Sequence, residues 1–92
     1  MRFASDYLDI SMAELTQEPA LLDASGLSCP MPLLKAKQML NSLTAGALLR
    51  VIATDPGSVR DFEVFARQSG NTLLESTSHD GRFEYLLRKK SD

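Results

Sequence analysis

The sequence predicts an α+β domain: a two-layer α/β sandwich in the order βαβαββ, with two helices on one face of a mixed four-stranded sheet. Three observations carry this expectation. Short aliphatic runs alternate with segments whose apolar residues recur at helical spacing. A Gly, Pro or Asp turn signal stands at each junction. The last two aliphatic runs are joined through Asp80-Gly81, the dipeptide favoured in tight hairpins.

The elements follow in order. Ala20-Leu21-Leu22-Asp23-Ala24 reads as a short first strand, closed by Ser25-Gly26. After Cys29-Pro30-Met31-Pro32, the residues Leu33, Ala36, Leu40 and Leu43 fall on one arc of a helix, with Lys35, Gln38 and Asn41 elsewhere. Proline is tolerated in a first turn because its missing N–H would have no intrahelical partner, so Pro30 is expected at the first helical position with Cys29 at or beside the cap. Gly46 opens a central strand over Ala47 to Thr54.

Asp55-Pro56-Gly57-Ser58 then supplies a capping acid, a proline and a second capping candidate, Ser58, before a helix with Val59, Phe62, Phe65 and Ala66 facing one way. Gly70 ends it. Asn71 to Ser78 and Arg82 to Lys90 read as two strands, with Phe83, Tyr85 and Leu87 alternating against Glu84, Leu86 and Arg88. Right-handed crossovers put both helices on the same face of the sheet.

Residues 1–19 are polar and acidic with scattered Phe3, Tyr7, Leu8, Ile10 and Met12, and read as an N-terminal extension, helical in part over Ser11 to Gln17. The domain proper is expected over 20–92. A chain of 92 residues is one domain by length, and 43% hydrophobic with 24% charged residues is the composition of a soluble globular protein. A net charge of −2 argues against nucleic acid or an anionic membrane as a partner held by bulk electrostatics. The C-terminal basic group, Arg82, Arg88, Lys89 and Lys90, is read as the guard of a solvated edge strand.

With one cysteine the chain has no internal disulfide and no multi-thiolate zinc site, which fits a reducing, cytoplasmic setting. No apolar run is long enough to span a bilayer, and the acidic start is not that of a signal peptide.

Cys29 is the candidate reactive group. A helix start lowers a thiol pKa, because unpaired N–H groups and the aligned peptide dipoles favour the thiolate. Pro30 and Pro32 stiffen the turn and offer no donor, leaving the Met31 and Leu33 amides to receive the sulfur anion. Gly26 lets the chain turn so that the thiol is presented outward. Against this stands the general behaviour of a lone cysteine as a small buried hydrophobe.

The single histidine, His79, is expected in the distant hairpin, so no base stands beside the thiol and a Cys-His hydrolase is disfavoured. Asp55 is read first as the cap of the second helix. Because both helix starts lie at one end of the sheet in this order, Asp55 and Ser58 are also expected to border Cys29. Met31 is read as either a partner contact or core filler, and Lys35 with Lys37 as either a docking patch or a solvated face.

The stretch Leu22-Asp23-Ala24-Ser25-Gly26-Leu27-Ser28-Cys29-Pro30-Met31-Pro32, followed by Gly46 and by Thr54-Asp55-Pro56-Gly57-Ser58, resembles the TusA family of sulfur carriers. The likeness runs from about Leu21 to Lys90 and rests on Leu-Asp, Gly-Leu-x-Cys-Pro-x-Pro and Asp-Pro-Gly-Ser in order. It implies the same βαβαββ fold and a carrier without a cofactor. In that reading Cys29 accepts persulfide sulfur from a cysteine desulfurase and passes it to an acceptor protein, toward tRNA 2-thiolation, molybdenum cofactor enzymes or other sulfur metabolism. Ala66 and Asn71 depart from the residues common near the end of the second helix in the family. The competing reading is a regulatory or interaction module that binds protein or RNA through the same sheet, with Cys29 structural.

Overall fold

The computed structural model describes residues 18–90. The extension up to residue 17, with the helix expected over Ser11 to Gln17, lies outside them. The described chain runs β1 (Ala20–Ala24), α1 (Met31–Ser42), β2 (Leu48–Ala53), α2 (Ser58–Ser69), β3 (Thr72–His79) and β4 (Arg82–Arg88). The strands form one sheet in the order β1-β2-β4-β3. β1 pairs parallel with β2, Leu22 opposite Val51, while β4 runs antiparallel to both β2 and β3. The predicted α+β sandwich with a mixed four-stranded sheet is the architecture found.

Alternation along the strands decides which face receives the helices. Leu49, Val51 and Ala53 of β2 point the same way as Tyr85 and Leu87 of β4, and all five are fully buried. Ala36 and Leu40 from α1 and Phe62 from α2 complete this core, so both helices cover one face. Leu33, Leu43, Val59 and Phe65 pack at its margin, as the helical spacing predicted. Pro32, which the spacing did not assign to the core, is also fully buried.

The connections hold these layers in register. Gly70 ends α2 in the left-handed region with φ 86°, a conformation that glycine adopts without a Cβ penalty. Asp80 and Gly81, both with positive φ, make the two-residue β3–β4 turn. Asn71 accepts the Lys90 N–H on Oδ1 at 2.8 Å and donates from Nδ2 to Ser69 Oγ at 3.1 Å, so it ties the end of β4 to the start of β3.

One strand lies elsewhere than expected. The C-terminal basic strand is not an edge: β4 returns between β2 and β3, because the tight turn pairs it with β3 while its buried Tyr85 and Leu87 continue the row of β2. Its charges are used locally. Arg82 pairs with Glu84 at 3.0 Å, and Lys89 donates from Nζ to the Leu40 carbonyl at 2.6 Å, close to the C-terminal end of α1. On the uncovered face Arg50 stands 3.6 Å from both Glu75 and Glu84.

Candidate functional site

The β1–α1 loop is fastened before it reaches the cysteine. Asp23 Oδ1 accepts the Ser25 N–H at 3.0 Å, and the side-chain and backbone hydrogen bonds of Ser25 hold the Asp23 carboxyl below its usual range. Gly26, with φ 82°, donates its N–H to Thr54 Oγ1 at 2.8 Å, and Leu27 closes the turn onto the Ala24 carbonyl at 3.2 Å. The loop is thus anchored at the C-terminal ends of the parallel pair β1 and β2, and Cys29 follows three residues after Gly26.

Cys29 is exposed and unpaired, and its peptide bond to Pro30 is cis. The helix begins one residue later than expected: Pro30 is the capping residue, Met31 the first helical residue and Pro32 the second. The Met31 N–H donates to the Ser28 carbonyl at 2.8 Å. That amide is therefore committed within the turn and does not face the sulfur, contrary to the expectation from the motif. Met31 and Leu34, 40% and 42% exposed, set an apolar margin on the first turns of α1, so Met31 is not core filler.

What the sulfur meets instead is a carboxylate. Cys29 Sγ donates to Asp61 Oδ2 at 2.7 Å across 32 residues of sequence. The hydrogen bond to Asp61, partial desolvation and the negative charges of Asp61 and Asp55 together push the Cys29 thiol up from its ordinary range. The lowered pKa expected of a helix start is not found, because Pro30 and Pro32 lack an N–H and the Met31 amide is engaged while an anion lies in contact with the sulfur.

Asp61 lies in the first turn of α2 and also borders a shallow cleft of about 330 Å³ between the helices, with Leu33, Lys37, Arg60 and Phe65 on its walls. Lys37 is not simply solvated: its Nζ stands 5.6 Å from the centre of the Phe65 ring.

Asp55 borders the cysteine as the topology suggested, but it is not a side-chain cap. Gly57 is the capping residue of α2 and no side chain caps that helix start; the Ser58 N–H reaches the Asp55 backbone carbonyl at 3.0 Å. Asp55 Oδ2 is buried without a hydrogen bond. A Cβ at Gly57 would lie 3.0 Å from that oxygen and in ordinary contact, 3.7 Å, with Cys29 Cβ, so the bare glycine is what lets the Asp55 carboxylate sit against the start of α2 beside the Cys29 loop.

Ser58 is not a cap either. Its buried hydroxyl is 2.7 Å from the Tyr85 hydroxyl, and Tyr85 stacks on Phe62 at 4.5 Å between ring centres. His79 is highly exposed at the far hairpin beside Asp80.

Asp61 is the residue that sequence reasoning missed. The signal available was that both helix starts share one end of the sheet; one further helical turn beyond Ser58 on α2 reaches position 61.

A two-layer βαβαββ domain that presents a solitary cysteine before the first helix is the class these observations define. The family model described as Sulfurtransferase TusA matches residues 20–89, and the chain belongs to that family. It is 55% identical over 78 residues to the sulfur carrier protein TusA of Allochromatium vinosum, covering 85% of this chain and 99% of that protein. The sulfur carrier protein TusA of Pseudomonas putida is 44% identical over 81 residues, covering 88% of this chain and all of that one. Among solved structures, the SirA-like protein of Desulfitobacterium hafniense superposes with a TM-score of 0.69 at 27% identity, over 78% of this chain and 99% of that one.

Proposed function

We propose that this chain is a cytoplasmic sulfur carrier that takes sulfane sulfur from a cysteine desulfurase onto Cys29 as a persulfide and hands it to an acceptor protein. The observation that carries the reading is the placement of Cys29: the one thiol of the chain, exposed on an anchored loop between the two helix starts, in a chain whose relatives are named as sulfur carriers. Residues 20–92 are the carrier domain in this reading, with 1–19 as an extension.

Each residue has a part. Gly26 turns the loop and pins it to Thr54. Pro30 and Pro32 start α1 without offering the sulfur a competing N–H. Met31 adds exposed apolar surface beside the thiol for the partners that must approach it. Asp55 and Asp61 set the charge around it.

With no second cysteine in the chain, loaded sulfur leaves by attack from a thiolate of another molecule. The exchange moves sulfur between sulfurs without net oxidation and draws on no cofactor of the carrier. The receiving pathway, whether tRNA 2-thiolation, molybdenum cofactor enzymes or other sulfur metabolism, is distinguished by which product disappears in a deletion strain.

Incubation with a cysteine desulfurase and cysteine, read by intact mass, should add one sulfur atom to the wild type and none to Cys29→Ala. An equal gain of mass in the two proteins, or no gain in the wild type, would overturn the proposal.

A further inference from the structure

We propose that Asp61 sets how firmly the carrier holds its cargo, its carboxylate favouring the empty thiol over the loaded persulfide so that Cys29 releases sulfane sulfur more readily than an unassisted cysteine. This rests on the persulfide reading of Cys29. The geometry behind it is the 2.7 Å contact from Cys29 Sγ to Asp61 Oδ2, together with the Asp55 carboxylate close behind Gly57.

The exchange with a donor persulfide is Cys29–SH + R–S–S⁻ → Cys29–S–S⁻ + R–SH. One S–S bond breaks and one forms, the proton of Sγ ends on the donor sulfur, and neither charge nor electron count changes. In the empty state Sγ–H donates to Asp61. In the loaded state Sγ carries sulfur in place of hydrogen, so that donation is lost. The terminal sulfur is then anionic, a persulfide being a stronger acid than its parent thiol, and it stands among two carboxylates.

Both changes act against the loaded state, and a group that interacts differently with two states shifts their equilibrium by that difference. Among the described residues no cation forms an ion pair with Asp55 or Asp61. The ion pairs there join Arg50 to Glu75 and Glu84, Arg82 to Glu84, and His79 to Asp80. Lys37 and Arg60 line the same cleft as Asp61 without forming an ion pair with it.

The same carboxylate has a second consequence. By accepting a hydrogen bond from Sγ–H it keeps the empty carrier a thiol, which protects Cys29 from indiscriminate alkylation and oxidation. Release and protection follow from one contact.

The test equilibrates wild type, Asp61→Asn and Asp61→Ser with glutathione persulfide in excess glutathione and reads the loaded-to-empty ratio by intact mass. Both variants should raise that ratio by about two- to fivefold, the range of an exposed charge interaction. Their empty forms should be alkylated by iodoacetamide faster than wild type at neutral pH. Under the same conditions the wild-type ratio should lie below that of N-acetylcysteine, a comparison that needs no variant. A ratio unchanged or lowered in folded Asp61 variants would overturn the proposal, as would a wild-type ratio at or above that of N-acetylcysteine. Wild type that loads normally from a desulfurase while the Asp61 ratios stay equal would count against Asp61 alone; failure of wild type to load from the enzyme would count against the persulfide reading itself.

Discussion

Cys29 Sγ and Asp61 Oδ2 lie 2.7 Å apart, joining the loop before α1 to the first turn of α2. This contact makes the cysteine a protonated thiol, anchored and exposed, instead of a standing thiolate at a helix cap.

The first prediction concerns pH. The hydrogen bond to Asp61, desolvation and nearby carboxylate charge raise the Cys29 thiol, so its rate of alkylation by iodoacetamide should climb at higher pH than that of an ordinary cysteine, whose pKa is about 8.5. The sign for folding follows: the folded state binds this proton more tightly than the unfolded one. The stabilisation is complete below the unfolded thiol pKa and is lost as pH rises through the folded one. Asp61→Asn should move the alkylation profile toward lower pH, and a profile that stays in place would show that another group holds the proton.

Tyr85 carries a second pH dependence. Burial raises its hydroxyl, opposed by the hydrogen bond shared with Ser58. The stability it contributes is present below the unfolded tyrosine pKa of about 10 and is lost as pH rises through the folded value. Tyr85→Phe should remove this alkaline loss in urea titrations. At neutral pH it should cost about 1–3 kcal/mol, because Ser58 Oγ is left buried without its partner. The double variant Ser58→Ala with Tyr85→Phe should recover part of that cost.

Gly57 tests the convergence of the site. In Gly57→Ala the new methyl lies 3.0 Å from Asp55 Oδ2 and 3.7 Å from Cys29 Cβ. Residue 57 has helical φ and ψ, so alanine also reduces unfolded-state freedom, and the two effects should leave stability within about 1 kcal/mol of wild type. Loading from a desulfurase should nonetheless slow, since the Asp55 carboxylate beside the Cys29 loop must give way. Loading at the wild-type rate would show that the close approach at Gly57 does not matter to the thiol.

The layers of the fold were legible because they depend on local pattern. Leu33, Ala36 and Leu40 recur at helical spacing, Phe83, Tyr85 and Leu87 alternate, and Asp80-Gly81 names its own turn. The central place of β4 was not, because lysines and arginines on a strand read as edge chemistry until pairing is known. At the site, Cys29 stood out by its proline-flanked motif, and the shared end of the two helix starts brought Asp55 near it. The partner that decides its chemistry could not be read, since a contact across 32 residues depends on how α1 and α2 seat on the sheet. The direction of the thiol shift was lost with it: Pro30 and Pro32 lack N–H groups and the Met31 amide turns back to Ser28.

The central claim is that sulfur arrives on Cys29 from one protein and leaves to another. Its most direct measurement is a two-step transfer: load the carrier with labelled sulfur from a cysteine desulfurase, separate the two, then add a reduced thiol protein as acceptor and follow the label by intact mass. The account predicts one labelled sulfur on the carrier after the first step, its appearance on the acceptor after the second, and neither event with Cys29→Ala. A carrier that stays unlabelled after the first step, or keeps its label in the presence of the acceptor, would contradict it.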